Sequence, residues 1–245
     1  MGHVLTLALD TSSPSGSLAV LRDEQVIGCV STATGEIYSS RMFRHLDFLV
    51  RELTLELREF DLYAVAAGPG SFTGVRVGLA AAKGWSEVYG KPIAAVSALE
   101  AIAAQSHSRH SYLVPVLDAH RGQIYFGVYR LANSSNGELA LALQGDECVM
   151  TPEEFFDSLM ARGIADFAIV TPAPGLISAA ASRNETSEAH SKIRIEEVSP
   201  LLAPHIGRLG YLRARRGELV DSLALDANYV RRSDSELHWK APKEI

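Results

Sequence analysis

The sequence predicts an α/β protein made of two similar lobes, and three observations carry that prediction. Short apolar runs alternate with amphipathic stretches along the chain. The order three strands, helix, strand, helix occurs twice, over about 4–106 and again over about 112–182. The two halves also match at single residues. Leu9-Asp10 closes the first strand of one half, and Leu117-Asp118 closes that of the other.

Each element has a local reason. Val4 to Leu9, Ser17 to Leu21 and Gln25 to Ala33 are apolar runs with short connections, which reads as an antiparallel meander. Ser39 to Leu57 is an amphipathic helix with Met42, Leu46, Leu49, Val50, Leu53 and Leu57 on one stripe. Leu62 to Ala67 is a buried strand, and a helix over about Thr73–Tyr89 follows it. Pro92 to Val96 is a strand, and Ser97 caps a helix reaching about Ser106. After the linker His107 to Ser111 the pattern restarts with strands Tyr112–Leu117, Gln123–Leu131 and Leu139–Val149, the last two joined by a turn at Asn133–Gly137. Thr151-Pro152-Glu153-Glu154 is a capping box with proline in the first turn, so a helix runs to about Arg162. Phe167–Val170, a short helix to Ser182, Ile193–Val198 and a helix over about Leu201–Gly217 complete the list. The expected units are an N-terminal lobe, 1–106, a smaller second lobe, 107–200, and a C-terminal helix and tail, 201–245, that returns to the first lobe.

The stretch between the Leu62–Ala67 strand and the next helix stands out. Gly68-Pro69-Gly70-Ser71-Phe72-Thr73-Gly74-Val75-Arg76-Val77-Gly78 makes a tight turn and opens a helix of small residues. Such a turn offers backbone N–H groups to an anion or a carbonyl. The phosphate loop of nucleotide hydrolases is excluded, because Lys83-Gly84 has the wrong order. The dinucleotide fingerprint is excluded by the spacing of Gly68, Gly70 and Gly74, and the nucleophile elbow by Pro69 and Thr73 flanking Ser71. Gly74, Gly78, Ala81, Ala82 and Trp85 share one face, which suits the close approach of another helix.

Composition narrows the function. A formal net charge of −6 argues against a stand-alone nucleic-acid binder. Cys29 and Cys148 fall in expected strands, so buried free thiols and a cytoplasmic setting are expected, with no membrane span and no signal peptide. No metal-type cysteine pair occurs, and no metal is expected.

Two copies of a meander followed by alternating helix and strand describe the duplicated ribonuclease-H-like fold of actin, sugar kinases and Hsp70-type ATPases. In that fold the turn after each first strand grips phosphate. Here those turns hold Asp10, Thr11, Ser12 and Gly16, and Asp118, His120, Arg121 and Gly122. No Gly-Gly pair occurs in the chain to grip an adenosine, so the site reads as a degenerate phosphate cleft with no catalytic residue.

The motifs Leu9-Asp10-Thr11-Ser12, Gly68 to Gly78 and Asp118-Ala119-His120-Arg121-Gly122-Gln123-Ile124-Tyr125 resemble those of the TsaB (YeaZ) family, as does the tail with Tyr229-Val230-Arg231 and Trp239-Lys240. The resemblance implies an inert relative of TsaD, acting with TsaD and the ATPase TsaE. Together they move a threonylcarbamoyl group to N6 of adenosine-37 in tRNAs reading codons that begin with A. It implies contact with tRNA only through the complex and no cofactor of its own, ATP and metal belonging to the partners; the surface of the Met42–Leu57 and Gly74–Tyr89 helices predicts a homodimer when the chain is alone. Aligned to TsaD, Ala98 and Ile102 stand where that enzyme has metal-binding histidines.

The expected docking surface is made by Met42, Phe43, Leu46 and Val50 on one helix. Gly68, Pro69, Gly70, Ser71, Phe72, Thr73, Gly74, Val75, Arg76, Gly78, Leu79 and Ala82 belong to the glycine turn and its helix. Leu46, Leu49 and Leu53 also suit a core. Arg76, near a helix start, is expected to pair with a carboxylate. Two other functions are open at this point: an autonomous ATP-dependent phosphotransferase, and a glycoprotease-type metallopeptidase.

Overall fold

The computed structural model describes residues 2–32, 38–133, 139–184 and 193–230. Ala33, the turn beyond Asn133, and Arg231, Trp239 and Lys240 lie outside the described residues.

The first sheet has five strands, β1 (Leu5–Asp10), β2 (Ser17–Arg22), β3 (Gln25–Val30), β4 (Leu62–Ala66) and β5 (Ile93–Val96). Their order is β3-β2-β1-β4-β5. β1 is antiparallel to β2 and parallel to β4, and β4 is parallel to β5. The second sheet holds β6 (Tyr112–Asp118), β7 (Ile124–Phe126), β8 (Tyr129–Asn133), β9 (Leu139–Leu143), β10 (Cys148–Met150), β11 (Phe167–Thr171) and β12 (Arg194–Glu197). Its main path is β10-β7-β6-β11-β12, with β8 pairing β6 and β9. β6 is antiparallel to β7 and parallel to β11, and β11 is parallel to β12. Both paths therefore read third, second, first, fourth, fifth, with the same sense of pairing. That is a duplicated ribonuclease-H-like fold.

The second meander differs from its expected form. The expected strand Gln123–Leu131 is interrupted at Gly127 into β7 and β8, which pair with the same edge of β6 in one register, Val116 opposite Phe126 and Leu113 opposite Tyr129. Leu139–Val149 is likewise two strands, broken near Gly145 at φ 80°. The second meander thus keeps its three expected strands, the second and third each interrupted once, with β9 beside β8 and β10 beside β7.

Among the described residues six α-helices cover the sheets: α1 (Tyr38–Glu52), α2 (Phe72–Tyr89), α3 (Ala98–Ala103), α4 (Pro152–Ala161), α5 (Ser178–Asn184) and α6 (Ala203–Arg216). α1 stops short of Leu57, because Thr54 turns left-handed at φ 54° and Leu57 starts a separate 3-10 turn. α1 and α2 lie on one face of the first sheet, where Leu7, Leu9, Val20 and Val65 meet Met42, Leu46, Leu49 and Leu79. The opposite face is lined by Ala8, Ala19, Ala64 and Ala94, and α6 lies against it. The small side chains let α6 come close, since a Cβ at Gly210 would sit 2.6 Å from that of Ala64. This core continues through α3 into Leu113, Tyr129, Ala168 and Val170 of the second lobe, so the two lobes share one interior. α4 and α5 close the far face of the second sheet with Phe126, Phe155, Phe156 and Ile169.

The cysteines are not buried thiols. Cys29 is exposed and Cys148 half-exposed, because β3 and β10 are the outer strands of their sheets and each presents one side to water.

Candidate functional site

The first-lobe turn is built inward. Asp10, at the end of β1, is buried and accepts from the Ser12 amide at 2.8 Å and the Ser12 hydroxyl at 2.6 Å. Burial raises its carboxyl above the usual range, against the pull of those donors. Thr11 and Ser12 are only 2% and 4% exposed. The glycine turn covers them. The Thr11 hydroxyl donates to the Gly74 carbonyl at 2.6 Å, and the Ser71 amide donates to the Ser12 carbonyl at 2.7 Å. A Cβ at Gly70 would fall on the Ser12 carbonyl, one at Gly74 on the Thr11 carbonyl, and one at Gly78 on the Thr11 hydroxyl. Gly16 lies under the Tyr38 ring in the same way. The side chains expected to meet phosphate instead meet their own chain.

This arrangement corrects the expected use of the small-residue face. Gly74 and Gly78 admit the β1–β2 turn, not another helix, and Ala82 is buried in the same core. Met42, Leu46, Val75 and Leu79 are likewise buried against the first sheet, which needs their stripe for its own interior. Gly68 and Pro69 are buried and Gly70 half-buried. Ser71 is the N-cap of α2 and accepts from the Gly74 amide. Ser71, Phe72, Thr73 and Arg76 are exposed. Arg76 does not pair with a carboxylate as expected. Its guanidinium stacks 3.7 Å from the centre of the Phe72 ring and its Nε donates to the Tyr229 hydroxyl at 2.8 Å. An aromatic pair from the helix start and the tail thus satisfies it.

The second-lobe turn is built outward. Asp118, His120, Arg121 and Gly122 are exposed. His120, Arg121 and Gly122 have φ of 58°, 55° and 73°, three left-handed residues in a row. Asp118 accepts from the His120 amide at 2.7 Å.

The outer side of α1 and α2 carries what remains of the docking candidates. Phe43 is 58% exposed, and Phe48, not singled out by the sequence pattern, is 55% exposed. Val50 is half-buried. Along α2, Ala80, Gly84 and Val88 follow one another at spacings of four, all exposed. Gly84 is the informative one. A glycine inside a helix costs about 1 kcal/mol relative to alanine. Among the described residues nothing beyond its own stretch of helix lies within 4 Å of where its Cβ would be, so no packing contact in the described fold asks for glycine there.

A family model described as "TsaD: tRNA N6-adenosine threonylcarbamoyltransferase" matches residues 22–168. The chain belongs to that family. The TsaB protein of Bacillus subtilis is 36% identical over 127 residues, which is 52% of this chain and 56% of that protein. The TsaB protein of Haemophilus influenzae is 33% identical over 129 residues, 51% of this chain and 54% of that one. The matched region thus spans about half the length of these curated relatives. The structure of YeaZ from Pseudomonas aeruginosa superposes with a TM-score of 0.70 at 24% identity, covering 94% of this chain and all of that one. It shares the fold.

Ala98 and Ile102, which the resemblance sets against TsaD's metal-binding histidines, lie in α3. Ala98 and Ile102 are both fully buried in the interior shared by the lobes, where an apolar side chain packs and an imidazole would lose its water. The nearby His110 ring pairs with Asp166 at 2.6 Å, and that contact, after the Ser111 hydroxyl, holds the Asp166 carboxyl down at about 2. Among the described residues no three His, Cys, Asp or Glu side chains gather as a metal site, and no helix is long and apolar enough to cross a membrane.

Sequence reasoning missed a cavity of about 480 Å³ between the lobes, lined in part by Ser97, Glu100, Tyr129, Glu147, Arg213 and Tyr229. Burial pushes the Glu100 carboxyl up although Arg213 pairs with it, and burial, then Glu147, raises the Tyr129 phenol. No local motif marks these residues, because they come from five separate segments. Gly84 did carry a visible signal: a glycine within a helical pattern.

Proposed function

We propose that this chain is a non-catalytic docking subunit in tRNA threonylcarbamoyladenosine biosynthesis. It binds and supports TsaD, together with TsaE, in threonylcarbamoyl transfer to N6 of adenosine-37. Membership of the TsaD family and the names of the TsaB relatives support the pathway. The observation that carries the docking role is the outer face of α1 and α2, where Phe43 and Phe48 are exposed and no described atom beyond its own stretch of helix packs on Gly84. A mid-helix glycine facing open space is explained by a second helix that comes close to it.

Burial of Asp10, Thr11 and Ser12 under the glycine turn supports the absence of catalysis, since a substrate phosphate has no route to them without breaking the Ser71–Ser12 and Thr11–Gly74 bonds. The chain needs no cofactor of its own, and ATP and metal belong to the partner subunits. It works in the cytoplasm, and its acidic balance suits a protein that reaches tRNA only through the complex. Alone, it pairs with a second copy through the same face, and TsaD displaces that copy.

Co-purification of tagged TsaD with the chain tests the role. The wild type is expected to be retained, and Gly84→Trp to lose most of that retention, because an indole overfills a close helix crossing. Equal retention of both, or of neither, contradicts it.

A further inference from the structure

Glu147 lies in the second lobe, between β9 and β10, and three separate parts of the chain donate to its single carboxylate. The Tyr129 hydroxyl on β8 donates to Oε1 at 2.5 Å. The Ser97 hydroxyl accepts the Leu99 and Glu100 amides as the cap of α3, and its one proton goes to the same Oε1. The Asn228 side-chain amide donates to Oε2 at 2.6 Å. First lobe, second lobe and C-terminal segment therefore converge on one group.

The C-terminal segment, 218–230, is a strap across the first lobe. Val220 bridges to Ile93 at the edge of β5, and Leu225 is buried with the α1 and α2 core. The Asn228 amide donates to the Ala67 carbonyl at 2.7 Å, and the Asn228 carbonyl lies 3.0 Å from where a Gly68 Cβ would be. The next residue, Tyr229, holds Arg76 and packs its ring 5.6 Å from that of Phe72. One unbroken series of contacts joins the Glu147 carboxylate to the first turn of α2.

We propose that Glu147 is the positioning residue of the docking face: by anchoring Asn228 it sets Tyr229, which sets Arg76 and Phe72 at the exposed start of α2. Glu147 touches neither of those two side chains, so it acts through the strap. Its charge is held by neutral donors, while Arg213 is committed to Glu100. The part of the inference that concerns docking rests on the function proposed above; the coupling itself does not.

The test uses the full chain and reads the Arg76 Nε–H resonance by NMR, with amide exchange at Asn228 as a second readout. In the wild type that resonance is expected to be displaced by the Phe72 ring and protected by Tyr229. Glu147→Ala is expected to move it to the position of a free arginine and to speed Asn228 exchange at least about tenfold. Glu147→Gln is expected to resemble the wild type. Its carbonyl still accepts from Tyr129 and Ser97, and its amide can donate to Asn228 after a flip of that side chain. Asn228→Asp sets two carboxylates face to face and should release the strap. The double variant Glu147→Gln with Asn228→Asp restores a donor–acceptor pair and should return the resonance to its place. If Glu147→Ala does not fold, the Asn228→Asp variant and the double variant decide. A resonance that stays put in Asn228→Asp, or that the double variant fails to restore, overturns the coupling. TsaD retention is measured on the same variants. A moved resonance with unchanged retention leaves the coupling standing and counts against the docking role.

Discussion

The turn after β1 and the turn after β6 hold the same place in two copies of one fold, yet one is closed and the other open. Asp10, Thr11 and Ser12 are buried and tied to the glycine turn by the Thr11–Gly74 and Ser71–Ser12 bonds. Asp118, His120 and Arg121 face water with two non-glycine residues in the left-handed region. The difference follows from what comes after β4 and β11. After β4 the glycines of α2 let the backbone ride directly on the first turn. After β11 the chain runs through Thr171, Pro172 and Ala173 into a 3-10 turn, with no comparable glycine pair. A duplicated scaffold thus keeps one topology in both lobes while the turn after its first strand is part of the interior in one lobe and open to water in the other.

Changes that force the two turns to behave alike sharpen this comparison. The largest effect is expected from Gly74→Ala. Its methyl group would collide with the Thr11 carbonyl, which is backbone and cannot swing away. A loss of about 3 kcal/mol is expected, read as a lower urea midpoint. The next is a pH effect at Asp10. Burial raises the folded-state value of its carboxyl above the ordinary 3.8, so the folded state holds the proton more tightly than the unfolded chain. Its contribution to stability is full below 3.8 and is lost as pH rises through the folded value. Asn at this position keeps an acceptor for Ser12 but carries no charge. The stability of the wild type minus that of Asp10→Asn should therefore fall as pH rises from 4, in paired denaturant curves. A constant difference would contradict burial of the charge. The smallest effect is on the open turn. His120→Gly relieves a left-handed residue and should raise stability by about 1 kcal/mol or less, as a small rise in the urea midpoint.

Much of the fold was legible because its signals are local. The Thr151 capping box, the stripe Met42–Leu46–Leu49 and the alternation of strand and helix each lie within one segment, and each appears where its pattern puts it. The repeat order gave the duplicated topology for the same reason. The site was less legible. A small-residue stripe says that something comes close, and it does not say what. For Gly74 and Gly78 the neighbour is the chain's own β1–β2 turn, which comes from more than sixty residues away, as in the Thr11–Gly74 bond. Arg76 found an aromatic pair where a carboxylate was expected, because Tyr229 arrives from the far end of the sequence. Glu147 carried no signal at all, its partners being Ser97, Tyr129 and Asn228.

The central claim is that α1 and α2 present a surface for a second protein, and sedimentation of the purified chain tests it most directly. The wild type is expected to sediment as a dimer that dissociates on dilution. Gly84→Trp is expected to run as a monomer with an unchanged melting temperature, because its side chain points into open space in the single chain. A wild type that stays monomeric at every concentration, or a Gly84→Trp chain that dimerises as the wild type does, would contradict it.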